Sequence, residues 1–272
     1  MAGLAGPLLL VGCGKMGGAL LAGWTAKGLP PADTYVVEPE AGLRTQARDR
    51  HGVAAFAEPR ELPTGLRPRA IVFAVKPQAM AAVLPAYEQL AGSGVVLSIA
   101  AGTAIARFEA AFGADTPIVR AMPNTPAAIG QGVTALVANA RVSAAQRELC
   151  SELMAAVGQV LWIDDEEHMH AITALSGSGP AYVFYLIEVM AKAAVRSGLP
   201  EALAWPMARA TVAGSAALAA SSEETVETLR QQVTSPHGTT QAALEVLMAE
   251  DGMQPLLERA VAAAAQRSRE LA

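Results

Sequence analysis

The hydrophobic pattern divides the chain into two parts. Up to residue 163, short apolar runs alternate with longer segments of mixed polarity, which is typical of strands followed by helices. The predicted strands are Leu8–Val11, Thr34–Val37, Val53–Phe56, Ala70–Val75, Val95–Ile99, Pro117–Arg120, Gly132–Val137 and Val160–Ile163. The predicted helices between them are Gly18–Lys27, Gln78–Leu90 with a bend or break near Pro85, Thr103–Phe112 and Ser143–Val157. This alternation predicts an α/β domain with a Rossmann-like, mostly parallel, doubly wound sheet.

The second part is helical throughout. An acidic run, Asp164 to Glu167, indicates a boundary and the start of a helix, so we predict domains over residues 1–163 and 164–272. The later helices are predicted at Pro180–Arg196, Glu201–Ala219 with Pro206 kinking it or resetting its start, Glu223–Gln231, Thr239–Met248 and Gln254–Arg269. These helices carry more apolar surface than about a hundred residues can cover. We therefore expect an all-α domain that is buried against a second copy of the chain.

Composition narrows the class of protein. Hydrophobic residues make up 52% of the 272 residues and aromatic residues only 4%, so the core must consist mainly of Ala, Leu and Val. The net charge of -5 gives no basic surface for nucleic acid. Cys13 and Cys150 lack metal-ligand spacing and resemble reduced thiols. No secretory signal and no apolar run of about 20 residues is present, so we expect a cytoplasmic protein without a membrane span.

A glycine-rich turn follows the first strand. Gly12, Gly14 and Gly17 have the spacing G-x-G-x-x-G, with Cys13, Lys15 and Met16 between them. In this motif the first glycine allows a tight turn, the second lets the backbone approach a pyrophosphate, and the third lets the helix pack on the sheet. Between a strand and a helix, the turn predicts a site for NADH or NADPH.

The end of the second strand bears on the choice of cofactor. Glu38 lies about 20 residues beyond the motif, where an acid can bind ribose hydroxyls and would repel a 2′-phosphate. That position favours NADH. Glu38 can also be a solvated surface acid, and Arg44 nearby could help to bind a phosphate, so the sequence leaves the preference open.

Two further strand ends are predicted to face the cofactor. Ala74-Val75-Lys76-Pro77 and Ala100-Ala101-Gly102 follow buried strands, and ligands bind beyond the carboxyl ends of strands in open sheets. Their small residues allow backbone groups to contact the ribose and nicotinamide. Lys76 could be a general acid, but we favour a loop lysine whose backbone matters more than its ammonium group.

The run Ser176-Gly177-Ser178-Gly179-Pro180 opens the first long helix of the second part. Small residues allow a ligand or another backbone to approach closely, and proline suits the first position of a helix. By itself this run is better explained as a linker than as a binding site.

Several motifs occur in a fixed order along nearly the whole chain. They are the glycine turn at residues 12–17, Val75-Lys76-Pro77-Gln78, Ala121-Met122-Pro123-Asn124-Thr125-Pro126, Ser176 to Phe184, and Val233-Thr234-Ser235-Pro236-His237-Gly238-Thr239-Thr240. With them the chain resembles the pyrroline-5-carboxylate reductases, the last enzymes of proline synthesis. The resemblance implies reduction of a cyclic imine, 1-pyrroline-5-carboxylate, to L-proline by NADH or NADPH. It also implies a C-terminal domain that interlocks into a homodimer, with dimers assembled into a larger ring.

The resemblance also implies roles for individual residues. Gly238, Thr239 and Thr240 belong to the substrate loop, Glu166 lies near the substrate pocket, and Gln232 contacts the cofactor. Beside these motifs, Ser176 becomes part of a pocket wall. Since the loop has no arginine, backbone amides at the start of the helix from Thr239 can bind the substrate carboxylate. We expect the Thr240 hydroxyl to contact the ring nitrogen, and we assign no acid–base residue and no metal.

One position departs from the family pattern. His237 stands where family members often have glycine. If that position needs a positive φ, histidine carries a conformational cost, although it tolerates the region better than branched residues.

Two other functions share parts of this pattern. A 3-hydroxy acid dehydrogenase would carry a lysine four residues after Gly177-Ser178-Gly179, but Val183 stands there and Lys192 is too far along. A regulator that binds NAD(P)H without turnover would carry the same nucleotide motif. Only an activity assay would distinguish it from a reductase.

Overall fold

The computed structural model describes residues 6–272, and its first part is built on a single sheet. The eight described strands are β1 (Leu8–Val11), β2 (Thr34–Val37), β3 (Ala54–Phe56), β4 (Ala70–Phe73), β5 (Val95–Ser98), β6 (Ile118–Met122), β7 (Gly132–Ala138) and β8 (Gly158–Trp162). In the sheet they lie in the order β3-β2-β1-β4-β5-β6-β7-β8. The predicted strands all exist, and their ends differ from the predicted ones by at most two residues.

The sheet is parallel except where β7 runs antiparallel to β6. The predicted mostly parallel, doubly wound sheet is therefore confirmed. The chain winds outward from β1 in both directions, because β2 lies on one side of it and β4 on the other. This reversal leaves a crevice at the carboxyl ends of β1 and β4, which is where open α/β sheets bind ligands.

Helices connect most of the strands, and one more follows the last strand. They are α1 (Lys15–Ala26), α2 (Ala41–His51), α3 (Pro77–Val83), α4 (Glu88–Ala91), α5 (Ile105–Phe112), α6 (Ala144–Ala155) and α7 (His168–Ile172). A 3₁₀ turn over Leu84–Tyr87 separates α3 from α4, so the predicted break near Pro85 is confirmed. The acidic run at residues 164–167 precedes α7 and does not form its first turn.

Helix α2 has no counterpart in the sequence prediction. Ala47 is its buried residue, and arginines and other polar residues fill most of its remaining positions. With so little apolar surface, no 3.6-residue pattern is visible. The sequence feature that indicates the end of this helix is Gly52, which has a left-handed conformation with a φ of 67°.

The two faces of the sheet bury different side chains. One face packs aliphatic residues around Trp24, which is fully buried. The other face gathers aromatic rings: the Phe73 ring lies 5.4 Å from that of Tyr87 and 5.9 Å from that of Phe108. Ala, Leu and Val make up most of the buried hydrophobic residues, as predicted, and the second face adds a group of aromatic rings to them.

The second compact unit consists of helices. It contains α8 (Gly179–Arg196), α9 (Glu201–Ser221), α10 (Val226–Gln232), α11 (Thr239–Leu247) and most of α12 (Met253–Glu270). Helix α9 continues through Pro206, so the predicted reset of its start there is wrong. Among residues 6–272, no helix has both the length and the apolar character needed to cross a membrane.

Much of the helical unit's apolar surface is open within one copy. Its buried cluster is small and consists of alanines, whereas Phe184 and Tyr185 on α8 are 65% and 64% exposed. Large exposed apolar patches usually mark association surfaces. The single copy therefore leaves uncovered the surface that was expected to pack against a second one.

The chain forms two compact units, and the division between them lies further along the chain than the sequence suggests. The first unit extends to Gly177 and takes in Ala264–Ala272, while the second runs from Ser178 to Ala263. Residues 164–177 thus pack with the sheet unit. The division at residues 163 and 164 stays a prediction about functional domains.

A matched pair of tryptophans tests the core. The buried Trp24 indole N–H donates to the Leu153 carbonyl oxygen at 2.8 Å, so Trp24→Phe leaves that carbonyl without its donor and opens a small cavity. We expect a loss of about 2–4 kcal/mol in the free energy of unfolding, measured by urea denaturation. The control is Trp162→Phe, because Trp162 is half-buried and donates to the Ser151 hydroxyl. Equal losses in both variants would contradict this account.

Candidate active site

The glycine turn after β1 is fixed by its contacts with the neighbouring strands. Gly12 has a φ of 90°, and its N–H donates to the Val37 carbonyl at 2.8 Å. A β-carbon at Gly12 would lie 3.0 Å from backbone atoms of Ala74. A β-carbon at Gly17 would overlap the Gly12 carbonyl oxygen. Both glycines are therefore required by the packing of the turn itself.

Gly14 differs from these two glycines. A β-carbon built on Gly14 would have no atom of the described residues within 4 Å, so the space beside it is open. Gly14 also caps α1, whose 12 residues begin at Lys15, and no side chain caps that end. The first amides of a helix have no partner within it and attract anions. This turn thus has room for a pyrophosphate, and the contact itself stays a prediction.

Glu38 is tied into the glycine turn. Its carboxylate accepts the Cys13 N–H at 2.7 Å and the Glu40 N–H at 2.9 Å, and the residue is only 7% exposed. The alternative of a solvated surface acid is therefore wrong for the folded chain. Arg44 lies at the same strand end, where its guanidinium donates to the carbonyl oxygens of Glu38 and Pro39.

Cys13 is not a reactive thiol in this setting. Burial, together with the neighbouring Glu38 carboxylate, raises the pKa of the Cys13 thiol to about 11. The thiol stays protonated at neutral pH and fills space beneath the turn.

The next two strand ends lie beside the turn in the sheet. The Ala74 N–H donates to the Val11 carbonyl at 2.8 Å, and α3 begins at Pro77. Lys76 is exposed, and its carbonyl accepts the Ala79 N–H. After β5, Ala100 is buried and Gly102 has a φ of 69°. The sheet order thus places both segments at the crevice edge, and their contacts with the cofactor stay a prediction.

Glu166 has structural partners that the sequence did not suggest. Its carboxylate accepts the Ile105 N–H at 3.0 Å, where α5 begins, and pairs with the Arg120 guanidinium at 2.7 Å. The Arg120 side chain is almost completely buried in β6. Since these residues are 46 and 61 positions from Glu166, no local pattern could reveal the pair. Its expected place near the substrate stays a prediction.

Ser176 lies in a π-helical turn, Thr173–Gly177, just before α8. Its hydroxyl oxygen is buried and accepts or donates no hydrogen bond among the described residues. A β-carbon at Gly177 would overlap the Met122 methyl group. Single π-turns occur often at functional sites, and buried hydroxyls without partners are uncommon. Both observations fit a pocket wall better than a linker.

The predicted substrate loop ends in a helix start. Gly238 caps α11, so the amides of Thr239 and Thr240 lie in a first turn, which leaves them without partners inside the helix. His237 has a φ of 58°, which confirms that its position takes the left-handed conformation in which histidine carries a cost. The His237 N–H donates to the Gln241 side chain at 2.7 Å, which helps to hold this turn.

The last residue predicted to contact the cofactor lies on α10. Gln232 is the exposed last residue of α10, and its cofactor contact stays a prediction. His170 is buried and bonded to Ser268, whereas His168 is exposed. Over residues 6–272, no cluster of three or more His, Cys, Asp or Glu side chains could hold a metal ion.

Comparison with known protein families assigns both parts of the chain. Residues 166–271 match the model described as pyrroline-5-carboxylate reductase dimerisation, and residues 8–102 match NADP oxidoreductase coenzyme F420-dependent. The match to the dimerisation model supports association between copies through the helical part. It also agrees with the open apolar surface of that unit.

Individual relatives match over nearly the full length. The pyrroline-5-carboxylate reductase of Pseudomonas aeruginosa is 42% identical over 266 residues, which is 97% of this chain and 96% of that protein. The solved reductase structure from Coxiella burnetii has a TM-score of 0.92 and 34% identity, with 98% of each chain covered. A Plasmodium falciparum reductase solved with NADP bound has a TM-score of 0.83 and 28% identity, again over 98% of each chain. This chain belongs to the pyrroline-5-carboxylate reductase family.

Proposed function

We propose that the chain reduces 1-pyrroline-5-carboxylate to L-proline with NADH or NADPH, as the last step of proline biosynthesis. The observation that carries this is the glycine turn, whose Gly14 is open to a pyrophosphate in a chain that matches the reductases over nearly its whole length. The helix start at Thr239 supports it, because it offers an anion site for the substrate carboxylate.

The proposed cofactor contacts lie on three strand ends of the sheet unit. The cofactor, when bound, supplies the hydride that reduces the imine. Backbone amides of the turn at residues 12–17 bind the pyrophosphate, and Glu38 binds the adenosine ribose. Residues 74–77 and 100–102 hold the remaining ribose and the nicotinamide, and Gln232 adds a contact from α10.

The substrate is held by backbone groups and hydroxyls. No arginine lies between Ser235 and Thr240, so amides at the start of α11 bind the carboxylate. The Thr240 hydroxyl hydrogen-bonds the ring nitrogen, which orients the imine carbon towards the hydride donor. Ser176 shapes the pocket wall, and Glu166 supports it through its bonds to Ile105 and Arg120.

We assign no general acid to the chain. A protonated imine already accepts hydride well, so the residues mainly have to orient the two reactants. In this assignment Lys76 is a loop residue whose backbone contributes to the cofactor site. Its side chain is exposed, which agrees with this role.

Glu38 favours NADH over NADPH. Its buried carboxylate lies against the glycine turn, where an added 2′-phosphate would meet a negative charge. Arg44 is held by the carbonyl oxygens of Glu38 and Pro39, so it is not directed to a phosphate in this arrangement.

The assembly is proposed to be a homodimer, with dimers joined into a larger ring. The match to the dimerisation model and the exposed apolar side chains of α8 support the dimer. The larger ring rests on the family resemblance. The cytoplasmic location rests on the same resemblance and on the two unpaired, buried cysteines.

The two alternative functions are less well supported. In a 3-hydroxy acid dehydrogenase a lysine would follow the Gly-x-Gly run, but Val183 stands there, and Lys192 pairs with Glu188 at 2.5 Å on the exposed side of α8. A regulator without turnover would bind NADH and leave it unoxidised.

The first test mixes the purified chain with 1-pyrroline-5-carboxylate and either NADH or NADPH. We expect loss of absorbance from the reduced nicotinamide and formation of L-proline. Tight binding of NADH without its oxidation would contradict the reductase proposal and favour the regulator.

Thr240→Ala tests the contact with the ring nitrogen. Losing one hydrogen bond to the substrate should lower kcat/KM for the imine by about tenfold. NADH binding, measured by fluorescence titration, should stay near that of the unmodified chain. Thr240→Ser keeps the hydroxyl and should retain most of the activity. A fall in NADH affinity would place Thr240 with the cofactor and contradict the assignment.

Glu38→Ser tests the cofactor preference. Removing the carboxylate should shift the ratio of kcat/KM for NADPH over NADH upward by about tenfold or more. The control is Glu40→Ser, an exposed acid in the same loop. If Glu38→Ser leaves the ratio unchanged, Glu38 is a bystander in cofactor choice.

A further inference from the structure

We infer that the end of α12 is a positioning element for the loop after β5, and that His170 and Ser268 hold it in place. The loop is Ala100–Thr103, which the proposed function assigns to the cofactor. The inference therefore rests on that proposal for the loop's role. The contacts themselves lie entirely within the sheet unit, which includes Ala264–Ala272.

The loop and the last residues of the chain are in close contact at Gly102. A β-carbon built there would lie 3.2 Å from the Leu271 carbonyl oxygen and 3.8 Å from the Ala272 nitrogen. Gly102 also has a φ of 69°, which side chains rarely adopt. The loop is thus shaped to receive the backbone that follows α12.

A buried hydrogen bond fixes this end of α12. The His170 Nδ1 atom lies 3.0 Å from the Ser268 hydroxyl oxygen, and both residues are only 7% exposed. Ala265, one turn earlier, is also buried, so α12 packs here along one stripe. Arg267 and Glu270 pair with each other on the exposed side. The Ser268 face therefore anchors the helix end, since the other face is in solvent.

The segment that carries His170 also fixes the other end of the loop, where α5 begins. Glu166 accepts the Ile105 N–H, two residues beyond Thr103, and is itself held by Arg120. Helix α7 begins at His168, so Glu166 and His170 belong to one continuous stretch of five residues. That stretch holds the start of α5 through Glu166 and the end of α12 through His170. The loop lies between these two attachments.

Holding the loop in advance should favour cofactor binding. A ligand that binds one arrangement of a loop has its apparent affinity reduced by the fraction of molecules that lack that arrangement. A buried hydrogen bond contributes about 0.5–1.5 kcal/mol, so its loss can weaken binding by about twofold to tenfold. His170 and Ser268 act in this way without touching the cofactor.

Ser268→Ala and His170→Leu test the inference on the full chain. We expect the Kd for NADH, from fluorescence titration without imine, to rise by about twofold to tenfold in both variants. Amide hydrogen exchange should increase at residues 100–105 and not across the whole sheet. His170→Asn keeps a polar atom near the Nδ1 position and should restore most of the affinity. Arg267→Gln, on the exposed side of α12, is the matched control and should leave the Kd unchanged.

The outcomes separate this inference from the proposed reaction. If Ser268→Ala binds NADH like the unmodified chain, or if exchange rises uniformly, the positioning role is wrong whatever the activity. If the unmodified chain binds NADH without reducing the imine, the proposed function fails, while the Kd comparison still decides the role of Ser268. Retained affinity in His170→Leu would also overturn the inference.

Discussion

The close approach of three backbone segments at the end of β1 is the constraint on which the nucleotide site depends. Gly12 lies against Ala74 after β4, and Gly17 brings α1 against the Gly12 carbonyl, so no side chain fits at either position. This packing turns the start of α1 towards the crevice and leaves open space beside Gly14. The Glu38 carboxylate then fixes the turn by accepting the Cys13 N–H. The close packing at Gly12 and Gly17 thus leaves open space beside Gly14, where the pyrophosphate is proposed to bind.

A second set of constraints comes from buried polar contacts between distant parts of the sheet unit. Arg120 and Glu166 hold the start of α5, and His170 holds Ser268 at the end of α12. Buried polar atoms are costly unless they are paired, so each of these bonds specifies one arrangement of its segments. Together they frame the loop that follows β5.

The helical unit depends on association. Its buried cluster in one copy is too small to hold these helices together, whereas α8 exposes large aromatic side chains. An apolar face of this kind is stable in water when another surface covers it. The match to a dimerisation model agrees with this requirement.

The sequence by itself determined the strands, most helices and the glycine turn, because these follow from local periodicity and backbone sterics. It missed α2, since that helix has almost no apolar stripe. Only the tertiary structure decided the partners of Glu166 and His170, because those contacts join residues 46 to 98 positions apart. Periodicity reports which face of an element is buried, and it carries no information about which distant polar group lies opposite.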